Sequence, residues 1–229
     1  MAVDQDVAAV VPAAGSGVRL GSKIPKAFLS VLGIPLFVHT LRALMRAYPF
    51  GEIVLVVQEA QLERGRRLLR QHGMRNVRVV RGGATRAVSV KNGVLALSPG
   101  VRLVAVHDAA RPLVPREVVR RTLSAANRGG AAICGIPVSS TVKRAVPVRK
   151  SILETVDRQG LFLAQTPQVF RKDLLLRRYE VLGKKAFLAT DEAALFDGTR
   201  VRVRLVKGNE INFKVTTRQD LELMKHYFK

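Results

Sequence analysis

The residues best suited to chemistry lie near the N-terminus, in Gly15-Ser16-Gly17-Val18-Arg19-Leu20-Gly21, with Lys23 and Lys26 close behind. Small residues let backbone N–H groups approach a polyphosphate where a larger side chain would block them. Fixed cations such as Arg19 and Lys26 then neutralise charge that builds during phosphoryl transfer. A plain strand-to-helix turn with solvated cations accounts for the same residues, so both readings stand on this segment alone. Two common phosphate-binding loops fit poorly. Leu20 stands where a dinucleotide fingerprint needs its third glycine, and no Asp or Glu lies between Val7 and Gly51 to hold a ribose. Gly21-Ser22-Lys23 lacks the Gly-Lys-Ser/Thr ending of a P-loop.

Such a loop needs a rigid element before it, and the chain supplies many. Val7–Val11 reads as a buried strand, and Phe37, Leu41, Leu44, Met45 and Tyr48 share one helical stripe. Strands are predicted at Ile53–Val57, Val77–Val80, Leu103–Val106 and Ala131–Ile136. Helices are predicted between them: one ending near Gly73, one capped by Thr85 and stopped by Ser98-Pro99-Gly100, and one from Pro115 to Asn127 before Gly129-Gly130. This rhythm predicts an α/β fold with a doubly wound, mostly parallel, Rossmann-like sheet in a single domain over 1–229. It breaks at Pro137. Residues 138–158 read as two polar strands around Pro147-Val148-Arg149-Lys150, a protruding β-hairpin arm too poor in apolar surface to stand alone. A second subunit is a good candidate to pack on it. Helices near Lys172–Leu182, at Asp191–Phe196 and from about Gln219 complete the pattern, with a strand at Val201–Val206. Ligands of such sheets bind beyond the carboxyl ends of the strands. Segments 12–26, 82–89, 107–112 and 137–143 should therefore converge on one cleft.

Composition narrows the class. The 229 residues are 48% hydrophobic, enough for a packed core. A net charge of +22 invites an RNA-binding reading without catalysis. The basic residues are spread along the chain with no basic tail, which weakens that reading. A positive field still collects small polyanions. The single Cys134 lies in an apolar run and predicts packing, and the scattered histidines argue against structural zinc. No apolar run reaches the roughly 18 residues of a membrane span. The start, Met-Ala-Val-Asp-Gln-Asp, lacks the features of an export signal, so a cytoplasmic location is expected.

Val10-Val11-Pro12-Ala13-Ala14-Gly15-Ser16-Gly17-Val18-Arg19-Leu20, followed by Pro25-Lys26, resembles the nucleotidyltransferases that activate sugars and polyols. Later segments narrow the resemblance: Gly82-Gly83-Ala84-Thr85-Arg86-Ala87-Val88-Ser89-Val90, Val106-His107-Asp108-Ala109-Ala110-Arg111-Pro112, Thr141-Val142-Lys143-Arg144 and Thr155-Val156-Asp157-Arg158. Gln165-Thr166-Pro167-Gln168, Thr190-Asp191-Glu192-Ala193 and Asn212-Phe213-Lys214-Val215-Thr216 complete it. In this order they resemble the 2-C-methyl-D-erythritol 4-phosphate cytidylyltransferases of the non-mevalonate isoprenoid pathway.

The resemblance implies transfer of a cytidylyl group from CTP to the polyol phosphate, a divalent cation (normally Mg2+) and a homodimer whose arms embrace. It implies Arg19 and Lys26 as the catalytic pair, with Lys214 near the transferred phosphate. It places Pro12, Ala13, Ala14, Gly15, Gly17, Gly82, Gly83 and Ser89 around CTP. Asp108, Arg111, Thr141, Arg158, Thr166 and Thr190 fall on the polyol-phosphate side, with Asp108 also a candidate metal ligand. Arg111 and Thr190 serve equally well as helix caps on the residues alone. Ala84 departs from the acid often found there in the family. A ribitol 5-phosphate cytidylyltransferase shares the first loop and the Asp108 region and is the nearest alternative; Thr141-Val142-Lys143-Arg144 and Asp157-Arg158 disfavour it.

Overall fold

The computed structural model describes residues 3–15, 24–146 and 151–228. Gly17 and Arg19, and the arm's turn at 147–150, lie outside them.

Along the chain, β1 (Asp4–Pro12) precedes a small hairpin of β2 (Ser30–Val31) and β3 (Ile34–Pro35), then α1 (Leu36–Ala47) and β4 (Phe50–Val57). Next come α2 (Leu62–Gln71), β5 (Val77–Arg81), α3 (Arg86–Leu95), β6 (Leu103–Val106), α4 (Arg116–Gly129) and β7 (Ala131–Pro137). The arm is β8 (Val142–Val146) and β9 (Ser151–Val156). The chain returns through β10 (Phe162–Arg171) and α5 (Lys172–Leu182), and ends with β11 (Arg204–Lys207) and α6 (Arg218–His226).

Seven strands form one sheet in the order β11-β7-β10-β6-β1-β4-β5. All neighbours run parallel except β10, which is antiparallel to both β6 and β7. Alternation along each strand explains the two cores. Val7, Ala9 and Val11 of β1 face one side, with Phe37, Leu41 and Leu44 of α1 and Leu123 of α4. Ala8 and Val10 face the other, with Val90 and Val94 of α3 and Leu175 of α5. Gly93 permits the second contact, because a Cβ there would lie 2.5 Å from Cγ1 of Val10. Thr85 caps α3 as expected, its side chain accepting from the Val88 N–H, and Gly130 ends α4 with a left-handed φ of 83°.

Three expectations need correction. The sequence predicts no strand where β10 runs inside the sheet between β7 and β6. Pro167 and three polar residues, Gln165, Thr166 and Gln168, disguise it, and all three are buried. The strand expected at Val201–Val206 begins later, at Arg204. At 191–196 there is only a 3-10 turn, Ala193–Phe196, and its N-terminal amide is held by Asp191 Oδ1, which accepts from the Ala194 N–H at 3.0 Å. Thr190 is not the cap.

Candidate active site

Strand β1 has β4 on one side and β6 on the other, so the direction of winding reverses between β1 and β6. A cleft of about 550 Å³ opens beyond the carboxyl ends there. Its walls come from Pro12–Gly15 after β1, Gln58 after β4, Gly83–Arg86 after β5 and Asp108–Ala110 after β6. Lys26, Ser89, Lys214 and Thr216 complete the lining with Ala27. Three of the four segments expected to converge do so; 137–143 contributes no lining residue.

One wall is built for close approach. Ser89 Oγ accepts from the Gly83 N–H at 3.1 Å and donates to the Thr85 carbonyl at 2.9 Å. A Cβ on Gly82 would lie 2.8 Å from both Ala14 Cβ and Ser89 Oγ. Gly82 is thus a steric requirement of the wall rather than part of its lining. Gln58 Nε2 donates to the Ala14 carbonyl at 2.9 Å and holds the first loop from β4.

The cations are placed by anchored segments. Lys26 opens a 3-10 turn whose Ala27 and Phe28 are buried, with the Phe28 and Phe37 rings 5.1 Å apart. Lys214 lies between two anchors in a non-strand segment after β11. Asn212 donates to the Thr166 carbonyl at 2.8 Å, and the Val215 N–H donates to the Ala110 carbonyl at 2.9 Å. Between them, Lys214 Nζ reaches Asp108 Oδ2 at 2.9 Å.

Asp108 is the hub. Its Oδ1 accepts from Nε and NH2 of Arg86, both at 3.3 Å, while Oδ2 meets Lys214 and lies 3.5 Å from Nε of Arg111. Burial alone would raise its pKa, but Arg86, Lys214 and Arg111 outweigh burial and hold it well below the usual carboxylate range. Its backbone is fixed too, since the Asp108 N–H donates to Thr166 Oγ1 at 3.1 Å. His107 settles the direction of that network. Its Nε2 lies 3.0 Å from the Arg111 carbonyl, which can only accept, so Nε2 carries the proton. Nδ1 then accepts from Thr166 Oγ1 at 3.0 Å. Burial pushes the His107 pKa down to about 4, so the ring is neutral near pH 7.

Of the residues expected at the site, Pro12, Ala13, Ala14, Gly15, Lys26, Gly83, Ser89, Asp108 and Lys214 meet in one cleft. Arg111 and Thr166 sit behind it. Arg111 is buried, and its NH1 donates to the Asn212 carbonyl at 2.7 Å, which makes it a tie between segments rather than a lining group or a helix cap. Thr141, Arg158 and Thr190 are exposed and line nothing in this cleft, and Arg158 donates to the Ser139 carbonyl. Arg86 and Gln58 are the functional residues that sequence reasoning missed. Arg86 follows the capping Thr85 inside a recognised segment, which was a usable signal. Gln58 has none. Cys134 is buried, with its thiol pushed up to about 12 by burial, as a packing residue should be.

Among the described residues, Asp108 is the sole acid lining the cleft, and no group of three or more Asp, Glu, His or Cys could hold a metal. Three cations, Arg86, Lys214 and Arg111, surround the Asp108 carboxylate.

A doubly wound sheet with a small-residue wall and two lysines, Lys26 and Lys214, lining the cleft at the switch point fits a nucleotidyltransferase. A family model described as 2-C-methyl-D-erythritol 4-phosphate cytidylyltransferase (IspD) matches residues 7–229. The chain is 39% identical over 228 residues to the protein of that name from Solibacter usitatus, covering 95% of this chain and 93% of the relative. It is 38% identical to the bifunctional enzyme IspD/IspF of Desulfotalea psychrophila, covering 97% of this chain but only 56% of that relative's length. The crystal structure of 4-diphosphocytidyl-2C-methyl-D-erythritol synthase from Anaerococcus prevotii superposes with a TM-score of 0.83 at 30% identity, over 98% of this chain and 99% of that one. This chain belongs to the 2-C-methyl-D-erythritol 4-phosphate cytidylyltransferase family and is a nucleotidyltransferase enzyme.

Proposed function

We propose that the protein transfers a cytidylyl group from CTP to 2-C-methyl-D-erythritol 4-phosphate, giving 4-diphosphocytidyl-2-C-methyl-D-erythritol and pyrophosphate. The observation that carries this reading is the meeting of Lys26, Lys214 and the Gly83–Ser89 wall in one cleft at the switch point. An oxygen of the polyol phosphate attacks the α-phosphorus of CTP in line. A P–O bond forms there as the bond to the β-phosphate bridge breaks, and pyrophosphate leaves with the electron pair. No covalent enzyme intermediate is required, so catalysis is positioning and charge stabilisation.

Two anions must meet, and cations supply the means. Lys26 and Arg19 stabilise the five-coordinate phosphorus and the departing pyrophosphate. Lys214, held by Asp108, faces the attacking phosphate. The Ala13–Gly15 and Gly83–Ser89 segments present backbone to the cytosine. Magnesium, when bound, would supply charge neutralisation for the triphosphate; among the described lining residues Asp108 is the carboxylate that could reach it, and its present partners are Arg86, Lys214 and Arg111.

The arm supports a homodimer with the polyol-phosphate site shared through Thr141 and Arg158. β8 and β9 pair in a separate two-stranded sheet, and Ile152 and Leu153 are 66% and 65% exposed. A cytoplasmic setting accords with the free Cys134 thiol. No described helix is long and apolar enough to cross a membrane.

Lys26→Ala should lower turnover about 100- to 1000-fold with the fold intact, the cost of one lost charge-stabilising donor. Near-normal turnover would refute its role. A panel of polyol phosphates completes the test: turnover of ribitol 5-phosphate alone would overturn the substrate assignment.

A further inference from the structure

Behind the cleft lies a carboxylate that the mechanism above does not use. Glu192 is 1% exposed, in the turn between α5 and β11. Both its oxygens accept from Arg86 NH1, at 2.9 and 3.0 Å. The other two nitrogens of the same guanidinium lie on Asp108 Oδ1, so one planar fork bridges two carboxylates. Glu192 is itself held from β10: its N–H and that of Ala193 donate to Gln168 Oε1, at 3.0 and 3.2 Å. Gln168 Nε2 donates to Asp191 at 2.8 Å. The network runs unbroken from β10 through Glu192 and Arg86 to the hub at Asp108.

We propose that Glu192 is a positioning residue: by clamping Arg86 from behind, it fixes the Asp108 carboxylate and, through it, Lys214, setting affinity for the polyol phosphate but not for the nucleotide. This rests on the functional reading above, in which Asp108 and Lys214 face the polyol phosphate. The nucleotide wall has ties of its own. Ser89, Gly83 and Thr85 bond to one another, and Gln58 holds Ala14. Without the Glu192 charge, the Arg86 guanidinium keeps only one of the two carboxylates that fix its position. Asp108 Oδ1 then loses its fixed partner, and the Lys214 contact on Oδ2 loosens. A residue with only a folding role would weaken both substrates together.

The test is calorimetric binding to the intact protein, with 2-C-methyl-D-erythritol 4-phosphate and CTP titrated separately. Glu192→Gln keeps the shape and removes the charge. Weakening one charge-assisted contact predicts an affinity for the polyol phosphate lower by about tenfold, and CTP affinity changed less than about twofold. Parallel losses for both ligands, or no change in either, would overturn the role. If Glu192→Gln does not fold, Arg86→Lys replaces it, since lysine keeps the charge but cannot bridge two carboxylates; the same split is expected. Wild-type turnover is scored separately. Its absence would sink the functional reading, whereas turnover without the split would remove the Glu192 proposal alone.

Discussion

Acidification should destabilise this protein in a window set by His107. The ring is buried and neutral, and its pKa falls from the ordinary 6.5 to about 4. A histidine held neutral by the fold binds its proton more readily when unfolded. The associated stability is therefore complete above about pH 6.5 and is lost as pH falls toward about pH 4. At 1.36 kcal/mol per pH unit, that shift amounts to about 3 kcal/mol. Protonation would also turn Nδ1 into a donor, so that Thr166 could no longer donate to it, and Thr166 is the group that holds the Asp108 N–H. Urea denaturation at intervals from about pH 4 to pH 7, with midpoints and slopes fitted separately, measures the loss. His107→Gln provides the reference, because an amide can donate to the Arg111 carbonyl but does not titrate. His39, which burial also lowers, titrates alike in both proteins and cancels from the difference. Asp108, held low by its cations, enters only below about pH 5, and Glu192, whose pKa burial raises, is common to both proteins and cancels as well. The wild-type curve should fall about 3 kcal/mol more steeply across the window than the variant curve. Parallel curves would refute the reasoning.

Other perturbations probe other parts of the site. Gly82→Ala drives a Cβ against Ala14 and Ser89, each 2.8 Å away. Overpacking by roughly 1–3 kcal/mol should raise the KM for CTP about tenfold or more while the KM for the polyol phosphate holds; an unchanged CTP value would show that the wall tolerates bulk. Arg111→Ala removes the buried tie to the Asn212 carbonyl and should lower stability by about 1.5–3 kcal/mol in urea denaturation. Unaltered stability would return Arg111 to the substrate side. Mixed dimers of Arg158→Ala and Lys26→Ala subunits should regain activity relative to either homodimer, since one site then holds both residues; confirmed heterodimers without recovery would argue against a shared site.

The elements that position the site were legible wherever apolar periodicity ran without interruption. β1, α1, β4, α3 and α4 fall where the pattern places them, because one buried face dictates their spacing. β10 was not legible. Its Gln165, Thr166 and Gln168 look like loop chemistry, yet each is buried and bonded to a distant segment. Gln165 pairs with the backbone of Asn209 through both amide atoms, at 2.8 and 3.2 Å. Such long-range satisfaction leaves no local pattern to read. The division of the site residues has the same cause. Motif membership identified Asp108, Thr166 and Arg111 together, but only the folded geometry separates the carboxylate facing the cleft from the groups bracing it. The Arg86–Glu192 pair joins residues 106 positions apart, a separation that no window of sequence spans.

The central claim is that the lysines and the small-residue wall of this cleft serve cytidylyl transfer to a polyol phosphate. The most direct measurement is pyrophosphate release by the purified protein supplied with CTP, magnesium and 2-C-methyl-D-erythritol 4-phosphate. Release that requires both substrates, falls at least about 100-fold in Lys26→Ala, and yields the CDP-linked polyol is the predicted result. No release with this pair, or equal release from Lys26→Ala, would contradict it.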